Sequence, residues 1–243
     1  MLGTLWSTFL FQPILQLLIF FYKALFLNFG LAILGLTLAI RLVLIPFTLP
    51  SQRTAKKMQD LKPRLDELKK KHGKDPKRFQ QEQLNLYKEH GVNPMGGCLP
   101  MVLQLLVLIA LYQVFIQVLN TGMIDGLTVH TQFLWLDLTK PDPYFILPIL
   151  AGLSQFALSK MMVPQKPRQK GGEFSDELAS AMQVQMTYFF PILSVVISAR
   201  FASGLALYWV ASTLFSMVQQ YYVMRQQEVL PVKSKGIQNG TSS

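Results

Sequence analysis

The apolar residues of this chain are gathered into long blocks instead of being spread at the spacing of a soluble helix. Five blocks stand out: Phe29 to Leu49, Pro100 to Leu119, Tyr144 to Met162, Val184 to Ala199 and Gly204 to Met224. A hydrocarbon core of about 30 Å takes roughly 20 mostly apolar residues per helix. The pattern therefore predicts an all-α integral membrane protein with five transmembrane helices, over 29–50, 93–119, 143–163, 184–201 and 202–224. The fourth block is the shortest, and Arg200 follows it at once.

A further block, Leu2 to Leu27, is interrupted by Thr8, Gln12, Gln16 and Lys23, which fall in a narrow stripe on one helical face. One polar stripe on a broad apolar helix suits the membrane interface. Residues 1–28 are therefore expected to form an external amphipathic helix, with Asn28 and Gly30 breaking it from the first span. The alternative is a sixth span with the stripe packed inside. The segment has no charged n-region, no A-x-A-like cleavage site and no cysteine for lipid attachment, so it does not read as a secretory leader.

Charge then orients the chain. The sequence of 243 residues is 51% hydrophobic and only 15% charged, yet it carries 23 basic and 13 acidic residues, a net +10. Between Arg53 and His90 there are twelve basic and six acidic residues, which is +6 of that excess. Lys166, Arg168 and Lys170 in the loop 164–183, and Arg225, Lys233 and Lys235 in the tail, lie on the same side by parity. The intervening loop 120–142 holds Asp125, Asp137 and Asp142 against Lys140. The positive-inside rule places the N-terminus outside and the C-terminus in the cytoplasm. The tail 225–243 reads as disordered.

The basic segment 51–92 has its own order. Met58, Leu61, Leu65 and Leu68 recur at helical spacing, and Asp75-Pro76 starts a second helix that Gly91 closes. A cytoplasmic two-helix hairpin results, carrying Lys56, Lys57, Lys69, Lys70 and Lys71, with Pro63 as a kink in its first helix. Its small apolar content implies mobility. One cysteine and three histidines exclude a disulfide framework and a multi-cysteine metal site. No cofactor, no metal and no enzymatic nucleophile–base set is expected.

Arg41 is the residue out of place. It lies about 20 Å from Asn28 and about 13 Å from Pro50, inside the hydrocarbon region. A central arginine costs roughly 2.5–3.5 kcal/mol on insertion scales. Either its guanidinium snorkels to the inner headgroups, or it projects into a water-filled cavity. The other spans favour a cavity: Thr37 shares the face of Arg41, Gln104 aligns with Leu108, Gln155 with Ser159, Gln183 with Thr187, and Tyr208 with Ser212 and Gln219. A single glutamine is often helix–helix glue. A polar stripe on every span, with no acidic residue in the core to pair with Arg41, reads as a hydrophilic groove open to an anionic group from the cytoplasm.

The runs NPMGGCLPMVLQ (Asn93 to Gln104), DPYFILPIL (Asp142 to Leu150), FASGLALYW (Phe201 to Trp209) and IRLVLIPFTLPSQ around Arg41 together resemble the YidC family of membrane-protein insertases, relatives of the mitochondrial Oxa and chloroplast Alb insertases. The resemblance implies a five-helix core around a positively charged groove in a bacterial cell membrane. By the same resemblance Arg41 attracts the hydrophilic, often acidic, end of a substrate, while Thr37, Gln104, Leu108, Tyr208 and Trp209 line the path of the nascent helix. Gln155 and Ser212 join that lining through their polar stripes, and the basic hairpin recruits substrate. Partners implied are nascent membrane proteins and the bilayer, with the Sec translocon and the ribosome as further candidates. The family's usual FPSGL is FASGL here, with Ala202 in place of proline and Arg200 just before, so the turn between the last two spans is the point of departure.

Two other functions fit parts of the pattern. A small-solute transporter would use Arg41 as an anion site, but an inverted repeat is not evident. A membrane-anchored nucleic-acid binder would use the basic hairpin. There, however, the positive-inside rule already accounts for the charge, and only Phe79 and Tyr87 could stack on bases.

Overall fold

A computed structural model describes residues 2–72, 75–93, 99–124, 126–162 and 185–228. The loop expected over 164–183, Gln183 and most of the tail lie outside the described residues. Helix α1 (Leu2–Trp6) passes through a π-helical turn (Ser7–Phe11) into α2 (Gln12–Ala24). The chain reverses where Phe26 and Leu27 take positive φ, and Asn28 caps the next helix by accepting from the Leu31 N–H at 3.0 Å.

That helix, α3 (Phe29–Asp60), is 32 residues long and carries Pro46 and Pro50 in its interior. The sequence placed the end of the first span at residue 50 and the hairpin from 51. In the structure α3 runs through that boundary without a break, so Lys56 and Lys57 belong to the same helix as Arg41. A change from apolar to charged residues marks an environment, not a helix end, and the Ser-Gln-Arg-Thr-Ala-Lys-Lys run has no capping signal. The break comes at Leu61. Helix α4 (Lys62–His72) then begins with Pro63 in its first turn, where a missing N–H is harmless. Asp75 caps α5 (Pro76–Glu89) by accepting from Arg78 N at 3.2 Å, and Gly91 at φ 61° closes it. Leu61, Tyr87 and Val92, backed by Met58 and Leu65, form the small core of this hairpin.

Helix α6 (Leu99–Thr121) leads into a segment expected to be a plain loop. It holds two antiparallel ribbons instead: β1 (Met123–Ile124) with β2 (Leu127–Thr128), and β3 (Gln132–Phe133) with β4 (Leu136–Asp137). Two-residue strands are too short to show a period-two pattern in sequence. Helix α7 (Ile146–Met162) follows, and beyond residues 163–184 a π-helical turn (Gln185–Phe189) enters α8 (Phe190–Arg200). The last helix is α9 (Ser203–Glu228). By length and composition Ser7–Ala24 and Phe29–Asp60 can each cross a bilayer, and Val102–Val118, Ile146–Met162 and Thr187–Arg200 are shorter apolar helices.

The core gathers at the ribbon end of the bundle. Ile14, Leu18 and Tyr22, one turn apart on α2, are buried against Phe29, Ile33 and Leu36 of α3 and Leu111 and Phe115 of α6. The rings of Tyr22 and Phe29, and of Phe29 and Phe115, meet edge to face at 6.4 and 5.6 Å. Thr8, Gln12, Gln16 and Lys23 are exposed on the other side of the helix. The stripe therefore does not pack inside.

Hydrogen bonds fasten the ribbons to the helices. The Tyr22 hydroxyl donates to the Thr128 carbonyl at 3.1 Å and accepts from His130 N at 3.0 Å. Buried Asp142 accepts from Leu147 N at 2.7 Å and Tyr144 N at 3.1 Å, capping α7. The Phe-Ala-Ser-Gly turn is held in the same way: Ser203 N and Gly204 N donate to the carbonyls of Lys140 and Leu138 at 2.7 and 3.1 Å, and Ser203 Oγ donates to the Asp137 carbonyl at 2.8 Å. None of these bonds uses Ala202 N, so the turn is held without any contribution from the backbone N–H at that position.

Burial acts to raise the Asp137 pKa, but hydrogen bonds from Thr139 and Lys140, with the Lys140 charge, outweigh it and bring the pKa from 3.8 to about 2. A carboxylate depressed in the folded state stabilises it above the ordinary pKa and ceases to do so below the folded one. The ribbon segment is therefore expected to loosen as pH falls from 3.8 toward about 2. Amide exchange of Thr139 and Lys140 reads this step, and Asp137→Asn removes it.

Candidate functional site

Two helices supply the frame. Both α3 and α9 start at the ribbon end: Gly30 packs against the Phe133 ring, and Ser203 bonds to Asp137 and Lys140. They therefore run parallel. Arg41 bonds to Ser212 and Thr48 to Gln219, each a separation of 171 residues. A constant offset over seven residues is the register of a parallel heptad seam. The same offset sets Thr37 opposite Tyr208.

Polar side chains occupy this seam where apolar ones would be the default. Arg41 Nε donates to Ser212 Oγ at 2.9 Å, and Nη2 donates both to Ser212 Oγ and to Gln104 Oε1, the latter at 2.7 Å. Gln104 Nε2 donates to the Tyr208 hydroxyl at 3.0 Å, and Ser212 Oγ to Gln104 Oε1 at 3.3 Å. Three helices thus converge on one guanidinium. A guanidinium carries five N–H donors and no acceptor. The bonds above use Nε and Nη2. Among the described residues Nη1 has no hydrogen-bond partner, and no acidic side chain pairs with Arg41. Two charged donors are left for an incoming acceptor, the geometry in which arginine grips a carboxylate.

Of the residues the sequence nominated, Arg41, Gln104, Tyr208 and Ser212 come together. Thr37 is buried next to them, but its hydroxyl is spent on the Ile33 carbonyl at 2.6 Å. Leu108 is partly buried and packs against the main core, which includes Tyr208. Gln155 on α7 and Trp209 on α9 are half-buried and outside the Arg41 network. Lys56 pairs with Asp60 at 3.0 Å, and Lys69, Lys70 and Lys71 form the last turn of α4, where cations suit the helix dipole. Sequence reasoning missed Thr48, whose hydroxyl accepts from Gln219 Nε2 at 2.9 Å. Its signal was present: it lies seven residues from Arg41, on the same heptad face.

Beside this cluster α6 exposes Val102, Leu105, Ile109, Tyr112 and Ile116, and α3 exposes Leu38, Leu42, Val43 and Phe47. The α6 set recurs at three and four residues, so it is a continuous apolar stripe. The Tyr112 ring meets that of Phe201, at the head of α9, at 5.6 Å.

The profile of a family described as the 60Kd inner membrane protein matches residues 20–230. A Fusobacterium nucleatum protein named membrane protein insertase YidC is 39% identical over 199 residues, covering 82% of this chain and 87% of that protein. Proteins of the same name from Haemophilus ducreyi and Magnetococcus marinus are 37% and 38% identical over 225 and 229 residues. These cover 92% and 93% of this chain but only 38% and 37% of the relatives.

Proposed function

The chain belongs to the YidC family of membrane protein insertases, and from that premise we propose that it works in a bacterial cell membrane as a five-span protein, N-terminus outside and C-terminus in the cytoplasm. Its substrates are nascent transmembrane segments with hydrophilic, often acidic, tails. The observation that carries the reading is the open Nη1 of Arg41: two charged donors within the span, held by Ser212 and Gln104 and met by no acid among the described residues.

The physical task is desolvation. A polar tail moved into hydrocarbon loses its water, and each unpaired polar group costs several kcal/mol. The Arg41 cluster replaces part of that water with a fixed donor array. The apolar stripe of α6 then gives the following helix a surface along which to pass into lipid, where burial of its own side chains drives release. Lys56, Lys57, Lys69, Lys70 and Lys71 form the basic face that meets the substrate first. The Sec translocon and the ribosome are further partners on this reading.

The first helix lies across the bundle in this arrangement. The edge-to-face pair of Phe29 and Phe115 sets one level. The Trp6 indole donates to Gln113 Oε1 at 2.8 Å, and the Phe21 ring packs on Gly35. From the common level Gln113 and Gly35 are about 3 and 9 Å inward, whereas Trp6 and Phe21 are about 22 Å apart along their helix. A difference of about 6 Å in depth over that length supports an interfacial helix.

Complementation tests the function. In a bacterium depleted of its own insertase, the expressed chain is expected to restore insertion of a short membrane protein with an acidic external tail. A fully expressed, membrane-localised chain that restores none would sink the proposal.

A further inference from the structure

Among the described residues, those other than glycine with positive φ are Phe26 at 56°, Leu27 at 55°, Leu134 at 55° and Phe145 at 57°. That conformation crowds the Cβ of an L residue, and glycine or asparagine is its usual occupant. Here every one is a large apolar residue set in a turn, and Phe26, Leu134 and Phe145 are 91%, 75% and 54% exposed. Strained backbone that ends in apolar tips gains nothing from water. The three turns lie at one end of the bundle. Gly30 of α3 packs on the ring of Phe133, beside Leu134, and the Trp135 indole donates to Asp142 Oδ1 at 3.4 Å, three residues before Phe145.

We propose that these tips are wedged into the lipid leaflet at the ribbon end of the bundle, the outer one in the orientation given above, as an anchor that fixes the depth of the protein. Three features select lipid as what covers them. The tips adjoin the apolar helices: α3 starts at Phe29, two residues after Leu27, and α7 at Ile146, one after Phe145. The 17 residues of α7 rise about 25 Å, short of a hydrocarbon core of about 30 Å, and exposed Tyr144 and Phe145 add apolar surface at its ribbon end. The carboxylate of this patch is turned in: Asp142 is buried and spends its oxygens on Tyr144 N, Leu147 N and the Trp135 indole. Trp135 and Tyr144 are also the amphipathic rings that gather where hydrocarbon meets headgroups. The anchor sets a level for the guanidinium. From Gly30 to Arg41 the helix rises about 16 Å, half the hydrocarbon thickness, so tips held at the interface keep Arg41 near the middle of the bilayer.

The test involves no insertion of a substrate, so its failure leaves the proposed function standing. The full chain has one cysteine, Cys98. In a Cys98→Ser background, Phe26→Cys, Leu134→Cys or Phe145→Cys carries a nitroxide, and each protein is reconstituted in vesicles of phosphatidylethanolamine and phosphatidylglycerol. Oxygen, which concentrates in hydrocarbon, is expected to relax each label more than a water-soluble nickel chelate does. Nickel dominating at two of the three positions would overturn the anchor. Dipolar broadening between labels on different copies would overturn it as well, assigning the tips to a second copy of the chain. A second measurement reads a sign. The triple variant Phe26→Asn, Leu134→Asn, Phe145→Asn relaxes the backbone while it removes the apolar tips. In nanodiscs of the same lipids its thermal midpoint is expected to fall by about 2–4 °C or more. Tips that faced water would lose only strain, so an unchanged or raised midpoint would also overturn the anchor.

Discussion

Arg41→Ala is expected to lower insertion of a substrate with an acidic external tail by about ten- to a hundredfold, because charge-assisted hydrogen bonds contribute about 1.5–3 kcal/mol. A neutral-tailed substrate should lose far less. The variant should still fold, since Ser212 Oγ and Gln104 Oε1 remain bonded at 3.3 Å and Gln104 stays on Tyr208 at 3.0 Å. It also removes a charge that the span accommodates at a cost. Arg41→Lys restores the charge without the planar fork, so it should rescue in part. Insertion assays on an acidic-tailed and a neutral-tailed protein decide the matter. Equal loss for both tails would move Arg41 from substrate binding to packing.

The second large effect is on stability. A Cβ at Gly204 would clash with the ring of Phe115 and lie 3.1 Å from the Leu138 carbonyl oxygen. Neither neighbour is free to move: Phe115 is 2% exposed and pinned by Phe29, and the Leu138 carbonyl accepts from Gly204 N itself. Gly204→Ala is expected to cost about 1–3 kcal/mol, the range for overpacking. Thermal unfolding of the purified protein in detergent reads it, with Gly3→Ala as a control that adds a helical Cβ without a clash and should not lower the midpoint, because nothing lies within 4 Å of that Cβ. An unchanged midpoint for Gly204→Ala would mean that the turn can yield.

Much of this was legible before any coordinates. Long apolar blocks need no partner to be recognised, so the mostly helical character of the chain is legible in the sequence. Arg41 was visible because a charge among Leu and Ile contradicts its surroundings, and Gln104, Tyr208 and Ser212 because each sits on a polar stripe. What the stripes lacked was register. A sequence shows that Thr48 shares the face of Arg41, but only the offset of 171 tells that Gln219 meets it. The same gap explains Thr37, whose hydroxyl found its own backbone, a choice fixed by local geometry and invisible in spacing. The ribbons over 123–137 went unseen because their pairs are set by the tyrosine and serine that hold them, residues far away in the chain.

The unbroken course of α3 joins the segment around Arg41 and the basic segment through Lys56 and Lys57 in one helix. From Arg41 to Asp60 the axis is about 28 Å long, a lever whose far end leads into the basic hairpin. Pro46 and Pro50 each omit one axial hydrogen bond, so the shaft is most compliant between residues 42 and 50. A force on the hairpin is thus delivered to the guanidinium through a spring and not a rigid strut. Its stiffness is written by two exposed residues that take no part in the Arg41 hydrogen bonds.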